Sequence, residues 1–327
     1  MKVTIIGNGF DLRHGLKTTY KDFFNYYTLY CNVNNLIYTY LSNKNNGFNW
    51  VDLENDLLIM FEDLSDLKNN ISIREKSNSY VIDKREFNKT MSKINLYNAV
   101  QYMNYSFFSI DNYNSSLEIK NPMWYELLIE NVDRDYREVK LKLFEYLLNV
   151  QYEMDSKFKL LESNEIDIIK SSERIFSFNY TNTPEKYVGS KLNYVHGSLN
   201  DEIILGIPFS RKMDIKKLHS IFKISQSIKM KKNSIIYKDQ REKLELFFIG
   251  FSFGESDHYF FQEVKDWITK YTLNDYTKMP PIYFNFYYHN EDAISDYLYN
   301  LRVFLGEEML TRFDISKRIN FIAYEDI

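Results

Sequence analysis

Four short patches of the chain carry residue types that could do chemistry together. The first is Gly7-Asn8-Gly9-Phe10-Asp11, which follows the apolar run Val3-Thr4-Ile5-Ile6. A buried strand that ends at a tight glycine turn, with a helix to follow, brings backbone N–H groups up to a phosphate. One glycine lets the backbone turn with φ > 0, and the other removes a Cβ so that a ligand can approach. An ordinary strand-to-helix turn has the same signature, because the full G-x-G-x-x-G is not there. The second patch holds Asn179 in Ser177-Phe178-Asn179-Tyr180-Thr181, and the third is His196-Gly197-Ser198. The fourth runs from Gly250 through Ser252 to Asp257. An imidazole titrates near neutrality and suits proton transfer, so His196 reads as a general base or as a turn residue. Asn179 reads as an amide that orients a ligand or as an Asx-turn capping the next helix. Asp11 reads as a ligand or an N-cap. Asp257 and Glu255 read as site acids or as first-turn acids of a helix. No two histidines stand at helical spacing with carboxylates beside them, so a metal site is not expected. No G-x-S-x-G occurs, which argues against a serine hydrolase.

These patches need elements that hold them at one edge. Three follow a short β-type run, at 3–6, 175–181 and 246–250, and His196 reads as sitting beside a strand end. Further strands are expected over Ile203–Ile207, Ile282–Tyr288 and Ile319–Ala323. Helices read between them, with Tyr259, Phe260, Val264 and Trp267 as one buried face. Strands alternating with helices argue a mainly parallel sheet, whose ligands bind at the carboxyl ends of the strands. From about 50 to 169 the reading is mostly helical, with segments 96–108 and 136–162 periodic and Ser109 to Asn121 loop-like. Residues 211–243 read as basic and helical. The expected fold is α/β, a Rossmann-like mainly parallel sheet with a large helical insertion. Residues 1–45 and 171–327 would form the nucleotide-binding core and 46–170 the insertion.

Composition narrows the partners. The chain has 327 residues and a net charge of −4, with acids and bases interspersed, which is no electrostatic footprint for nucleic acid. The single cysteine, Cys31, cannot form an internal disulfide. The start runs directly into a strand without a signal peptide, and no apolar run reaches the length of a membrane span. A cytoplasmic protein that uses no membrane is the expectation.

Taken together, GNGFDLRHGL (7–16), SFNYTNTPEK (177–186), VHGSLN (195–200) and GFSFGESDHYF (250–260) resemble the AbiH family of bacterial abortive-infection proteins, which act in defence against bacteriophage. More distantly, the same order is similar to the sirtuin-like NAD-consuming fold. Gly7-Asn8-Gly9 with Gly15-Leu16 stands for its glycine turn, and Asn179 stands for the Asn of its N-x-D, although Thr181 holds the position of the acid. His196-Gly197-Ser198 matches its catalytic H-G-S, Gly250-Phe251-Ser252 its late G-T-S, and Asn285 its strand-ending Asn. The four cysteines of the deacylating zinc ribbon are not here, so the analogy implies NAD cleavage and not acyl-lysine removal.

The resemblance implies site roles. The amides of Gly7, Asn8, Gly9 and Phe10 would hold the diphosphate, Asp11 the ribose hydroxyls, and Ser252 beside Gly250 a phosphate. Asn179 would orient water or a ribose hydroxyl, His196 would act as general base, and Asp257 would support His196. NAD is then the substrate, in an anti-phage effector that hydrolyses the nicotinamide–ribose bond, and no metal is expected. The alternatives are a non-catalytic nucleotide-binding sensor or scaffold, favoured by Thr181, and, with less support, a nuclease. Besides the nucleotide, a second copy of the chain or a partner defence protein is left open.

Overall fold

The computed structural model describes residues 1–30, 35–44, 53–70, 73–76, 79–83, 108–110, 116–119, 123–207, 221–222, 234–236, 243–274 and 279–324. In chain order the elements are β1 (Lys2–Ile6), α1 (Asn8–Arg13), α2 (Tyr20–Tyr30), α3 (Leu36–Lys44), α4 (Leu53–Asn70), β2 (Ile73–Lys76), β3 (Ser79–Asp83), β4 (Phe108–Ile110), β5 (Ser116–Ile119), α5 (Trp124–Asp155) and α6 (Asn164–Ser171). There follow β6 (Arg174–Ser177), α7 (Glu185–Val188), β7 (Leu192–Tyr194), β8 (Leu244–Ile249), α8 (Gln262–Asn274), β9 (Ile282–Tyr288), α9 (Asp292–Leu305), α10 (Glu307–Ile315) and β10 (Ile319–Ala323).

The chain divides into two compact units. The first comprises Met1–Thr18, Leu147–Ile204 and Gln226–Ile327. It contains a six-stranded sheet in the order β10-β9-β8-β1-β6-β7, parallel throughout. Counted within this sheet the strands run 3-2-1-4-5-6 from one edge, the order of dinucleotide-binding folds, with the order reversing between β1 and β8. Both faces are apolar, as a parallel sheet covered by helices requires. Val3 and Ile5, Phe176, Leu246 and Phe248, and Phe284 and Phe286 pack on one face with Phe260, Phe261, Leu301, Phe304 and Phe313. Ile6, Ile175, Phe247, Ile249 and Tyr287 pack on the other with Phe10, Ile166 and Ile169. The period-2 alternation sorts these runs between the two faces. Each fully buried phenylalanine contributes roughly 1.5–3 kcal/mol.

The second unit comprises Thr19–Tyr146 and Leu205–Ser225. It contains most of the expected insertion, and it also takes in 19–45, while 147–170 goes to the first unit. Among the described residues from 46 to 170, most lie in the helices α4, α5 and α6. That stretch also contains an antiparallel sheet in the order β2-β3-β5-β4. Its strands have only three to five residues each, too few for their period to stand out beside long helices. The Ser109–Asn121 segment, expected as a loop, supplies β5. The strand expected over Ile203–Ile207 reduces to one bridge between Ile207 and Phe222. Of the helix expected over 96–108 only Phe108 is described, and it begins β4; most of the helix expected over 211–243 lies outside the described residues. Among the described residues no helix is long and apolar enough to cross a membrane.

Candidate functional site

All ten residues expected to form the site lie in the first unit, and most follow the carboxyl ends of β1, β6, β7 and β8. The turns after β1 and β8 interlock. The Gly7 amide donates to the Ile249 carbonyl (3.0 Å), Gly9 donates to Gly250 (2.8 Å), and Phe10 donates to Gly7 (3.0 Å). Three of the four amides expected to cradle a diphosphate are therefore already donated within the protein. The glycines have the same explanation. A Cβ on Gly7 would lie 2.6 Å from the Gly250 carbonyl oxygen, and one on Gly9 would lie 2.7 Å from the Gly250 Cα. At Gly250, where φ is +60°, a Cβ would lie 2.2 Å from the Phe10 nitrogen. Backbone approaching backbone is by itself enough to require a missing side chain at these positions.

Further contacts clamp this junction. The Gly250 amide donates to the Tyr324 hydroxyl (2.7 Å). The Arg13 guanidinium lies 4.2 Å over the Tyr324 ring and 2.6 Å from buried Glu165. His14, beside Asp11 in the GNGFDLRHG patch, is structural. The Phe10 carbonyl can only accept, so the His14 Nδ1 at 2.8 Å carries the proton. The His14 Nε2 then accepts from the Tyr187 hydroxyl (2.7 Å), which itself accepts from the Leu161 amide (2.9 Å). Burial lowers the His14 pKa in keeping with this neutral ring. Phe10 is a core side chain, 1% exposed. Asn8 is exposed and accepts from the Thr18 hydroxyl (2.6 Å).

The ends of β6 and β7 differ in kind. Asp11, delivered by α1, is 1% exposed, and its Oδ2 accepts from the Thr181 hydroxyl at 2.6 Å. Thr183 donates in turn to Thr181 (3.2 Å). Burial pushes the Asp11 carboxyl up to about 6, against the lowering effect of Thr181, Thr183 and the neighbouring Asn179 amide. The other carboxylate oxygen, Oδ1, has no hydrogen-bond partner, and neither do the Oδ1 and Nδ2 of Asn179, which is 4% exposed. Buried polar atoms are nearly always satisfied, and each orphan costs about 1–3 kcal/mol. Three such atoms lie close together at Asp11 and Asn179.

His196 is held by the adjacent chain. The Val195 amide donates to the Ser177 carbonyl (2.8 Å), and Ile204 donates to the His196 carbonyl (2.6 Å). The imidazole packs against the rings of Phe178 (centroids 4.9 Å apart) and Tyr180 (6.3 Å). Its buried Nε2 lies 3.3 Å from Asp257 Oδ1, within ion-pair distance but outside hydrogen-bond geometry. Residues 178 and 180 thus offer rings to His196, while 179 and 181 offer polar side chains to Asp11. Among the described residues no hydrogen bond or ion pair joins His196 to Asp11, Asn179 or Thr181.

Two expected residues sit apart from these clusters. Ser252 is exposed, and its carbonyl accepts from Asn300 (2.9 Å). Asn285 does not end a strand: it lies in the middle of β9, donating to the Leu246 carbonyl (3.1 Å) and accepting from Asn320 (2.9 Å). Its side chain ties three strands together. Sequence reasoning missed Thr183, Tyr324 and the role of Thr181 as donor to Asp11. The sequence marks Thr181 only as a position without the acid of N-x-D. Among the described residues no group of three His, Cys, Asp or Glu side chains is placed to hold a metal ion.

None of the curated proteins matches the chain. A family model does, described as bacteriophage abortive infection AbiH, over residues 3–274. That span runs from β1 to the end of α8 and includes both interlocked turns, the Asp11 cluster and the His196–Asp257 pair. The chain therefore belongs to the AbiH family, and its role is in bacteriophage abortive infection.

Proposed function

We propose that this AbiH protein acts in abortive infection by hydrolysing NAD at the nicotinamide–ribose bond. The observation that carries the reading is the set of buried polar atoms without a hydrogen bond on Asp11, Asn179 and His196, the last at ion-pair distance from Asp257, at the edge of a dinucleotide-type sheet that reverses its strand order. Cleavage passes through an oxocarbenium-like state. It needs the ribose fixed, a proton acceptor at a ribose hydroxyl or the water, and that water held beside the anomeric carbon. His196 serves as base at a ribose hydroxyl, with Asp257 orienting its ring from the Nε2 side. Asn179 orients the water or a hydroxyl through its amide. Gly250 and Ser252, with the Asn8 side of the first turn, line the path of the phosphates. With three turn amides engaged, the diphosphate is held by fewer backbone donors than a free glycine loop offers.

The test is to follow NAD, nicotinamide and ADP-ribose in phage-challenged bacteria carrying the gene, and with the purified chain. NAD should fall as nicotinamide and ADP-ribose rise, and His196→Ala should abolish both that loss and protection. Intact NAD alongside protection that survives His196→Ala would overturn the proposal. A nucleotide-binding sensor without catalysis is the second reading, favoured by the threonine at position 181. It predicts nucleotide binding and protection that both tolerate His196→Ala. Against it stands Asp11, whose carboxylate meets the Thr181 hydroxyl and brings an acid to that place.

A further inference from the structure

Asp11 Oδ1 and both side-chain polar atoms of Asn179 are buried without a hydrogen bond of normal geometry, and the Asn179 amide lies near enough to the Asp11 carboxylate to lower its pKa. Together they offer two acceptors and one amide donor. A buried water makes about three such bonds to groups of this kind. A phosphate is a poor fit, because the cluster already contains a carboxylate, and Arg13, the nearest cation in sequence, is paired with Glu165. We propose that Asp11 and Asn179 hold a single water, and that this water is the nucleophile of the NAD hydrolysis with Asp11 Oδ1 as the acceptor of its proton.

The inference rests on the NAD reading for the water's use, but not for its binding. In the step, the water oxygen bonds to the anomeric carbon as the bond from that carbon to the nicotinamide nitrogen breaks. The electron pair of the broken bond leaves with nicotinamide, which becomes neutral. The water's proton passes to Asp11 Oδ1 and is later lost to solvent. Thr181, donating to Oδ2, fixes the carboxylate and leaves Oδ1 without a hydrogen bond. Burial that raises the Asp11 carboxyl to about 6 makes it a stronger base than an ordinary carboxylate. His196 keeps its separate task at the ribose.

Two measurements test this. The first is a crystal structure of the full chain at a resolution that shows waters. It should show one density peak within hydrogen-bond distance of Asp11 Oδ1 and the Asn179 amide, absent in Asn179→Leu. No peak in the wild type, or Asn179 bonded directly to Asp11, would overturn the site. The second uses NAD under the conditions in which the wild-type chain cleaves it. Asp11→Asn should lower kcat by roughly a hundredfold or more with KM little changed. Azide, a nucleophile that needs no base, should restore cleavage with the ribosyl azide as product. A structural role for Asp11 would give no azide rescue, and unchanged kcat would refute the assignment outright. If the wild type cleaves no NAD at all, it is the NAD reading that fails, and the density alone then decides the water site. A second variant, Thr181→Val, removes the hydroxyl that orients Asp11 while leaving the acid in place, and should lower kcat by roughly tenfold.

Discussion

The turns after β1 and β8 and the turns after β6 and β7 lie at the same edge of one sheet, yet they use their polar groups differently. At the β1–β8 junction the amides of Gly7, Gly9, Phe10 and Gly250 are all donated inside the protein, and three glycines are fixed by neighbouring backbone. At the ends of β6 and β7 the side chains of Asn179, Asp11 and His196 keep orphaned atoms. The first region is therefore a joint, and the second keeps polar side-chain atoms that hydrogen bonds within the protein do not use. A glycine turn after the first strand of such a sheet invites a ligand-binding interpretation, but in this molecule the missing Cβ atoms serve the packing of one turn on the other. That difference can be broken or sharpened by substitutions in each region.

The largest effect should come from the joint. Gly250→Ala places a Cβ 2.2 Å from the Phe10 nitrogen at a φ of +60°, and the obstacle is backbone, which cannot rotate away. Strain and overpacking together should cost more than about 3 kcal/mol. Soluble yield and thermal unfolding would check it. A Gly250→Ala protein as stable as wild type would mean that the joint is looser than described and that the glycine serves a ligand after all.

Asp11→Asn should act with the opposite sign on stability. The folded carboxyl holds its proton up to about pH 6, whereas the ordinary value is 3.8. Between those values the folded state binds more protons than the unfolded chain. Stability from this group is therefore full below about pH 4, is lost as pH rises through 6, and stays lower above. The penalty at neutral pH is about 3 kcal/mol. Allowing for the weakened bond from Thr181, the neutral variant should be more stable at pH 7 by about 1–2 kcal/mol. The comparison is unfolding temperature against pH for both proteins, since the difference isolates Asp11 from the other carboxylates. If the wild type gains stability relative to the variant between pH 4 and 7, the carboxylate is not held in an unfavourable place, and the contrast between the two regions weakens. A chain that keeps a destabilising acid while losing activity without it would show the carboxylate is retained for its chemistry.

Tyr324→Phe comes next. It removes the hydroxyl that accepts from the Gly250 amide while keeping the ring beneath Arg13. An unsatisfied buried amide should cost about 1–2 kcal/mol, read as a lower unfolding temperature. An unchanged temperature would mean that water reaches the joint.

How much of this was legible in the sequence depends on the range of each contact. The strand-to-glycine junctions were visible because they are local: Ile6-Gly7 and Ile249-Gly250 announce themselves by an apolar run followed by a turn residue. The parallel sheet followed from alternation of such runs with helices. What paired with them was not visible. Thr181 meets Asp11 across 170 positions, and Tyr324 meets Gly250 across 74. No local propensity carries such information. By the sirtuin-like resemblance Asn285 is a strand-ending Asn. It instead bonds sideways to β8 and β10, which only the sheet order could reveal. The small antiparallel sheet was hidden for a different reason, since runs such as Ser116–Ile119 are too short to show a period.

Ser252 gives the smallest expected effect and the cleanest discrimination. It lies two residues beyond Gly250, at the edge of the joint, but its side chain is exposed and only its carbonyl is bonded, to Asn300. Ser252→Ala should therefore leave the unfolding temperature unchanged, within about 0.5 kcal/mol. Any loss of NAD affinity in that variant then reports a lost contact with the ligand, undiluted by stability. A hydroxyl bonded to a phosphate oxygen should be worth roughly tenfold in binding. A tenfold loss would extend the chemical region around to the β8 side of the sheet edge. No loss would confine it to the ends of β6 and β7, leaving everything after β8 apart from Asp257 to the joint.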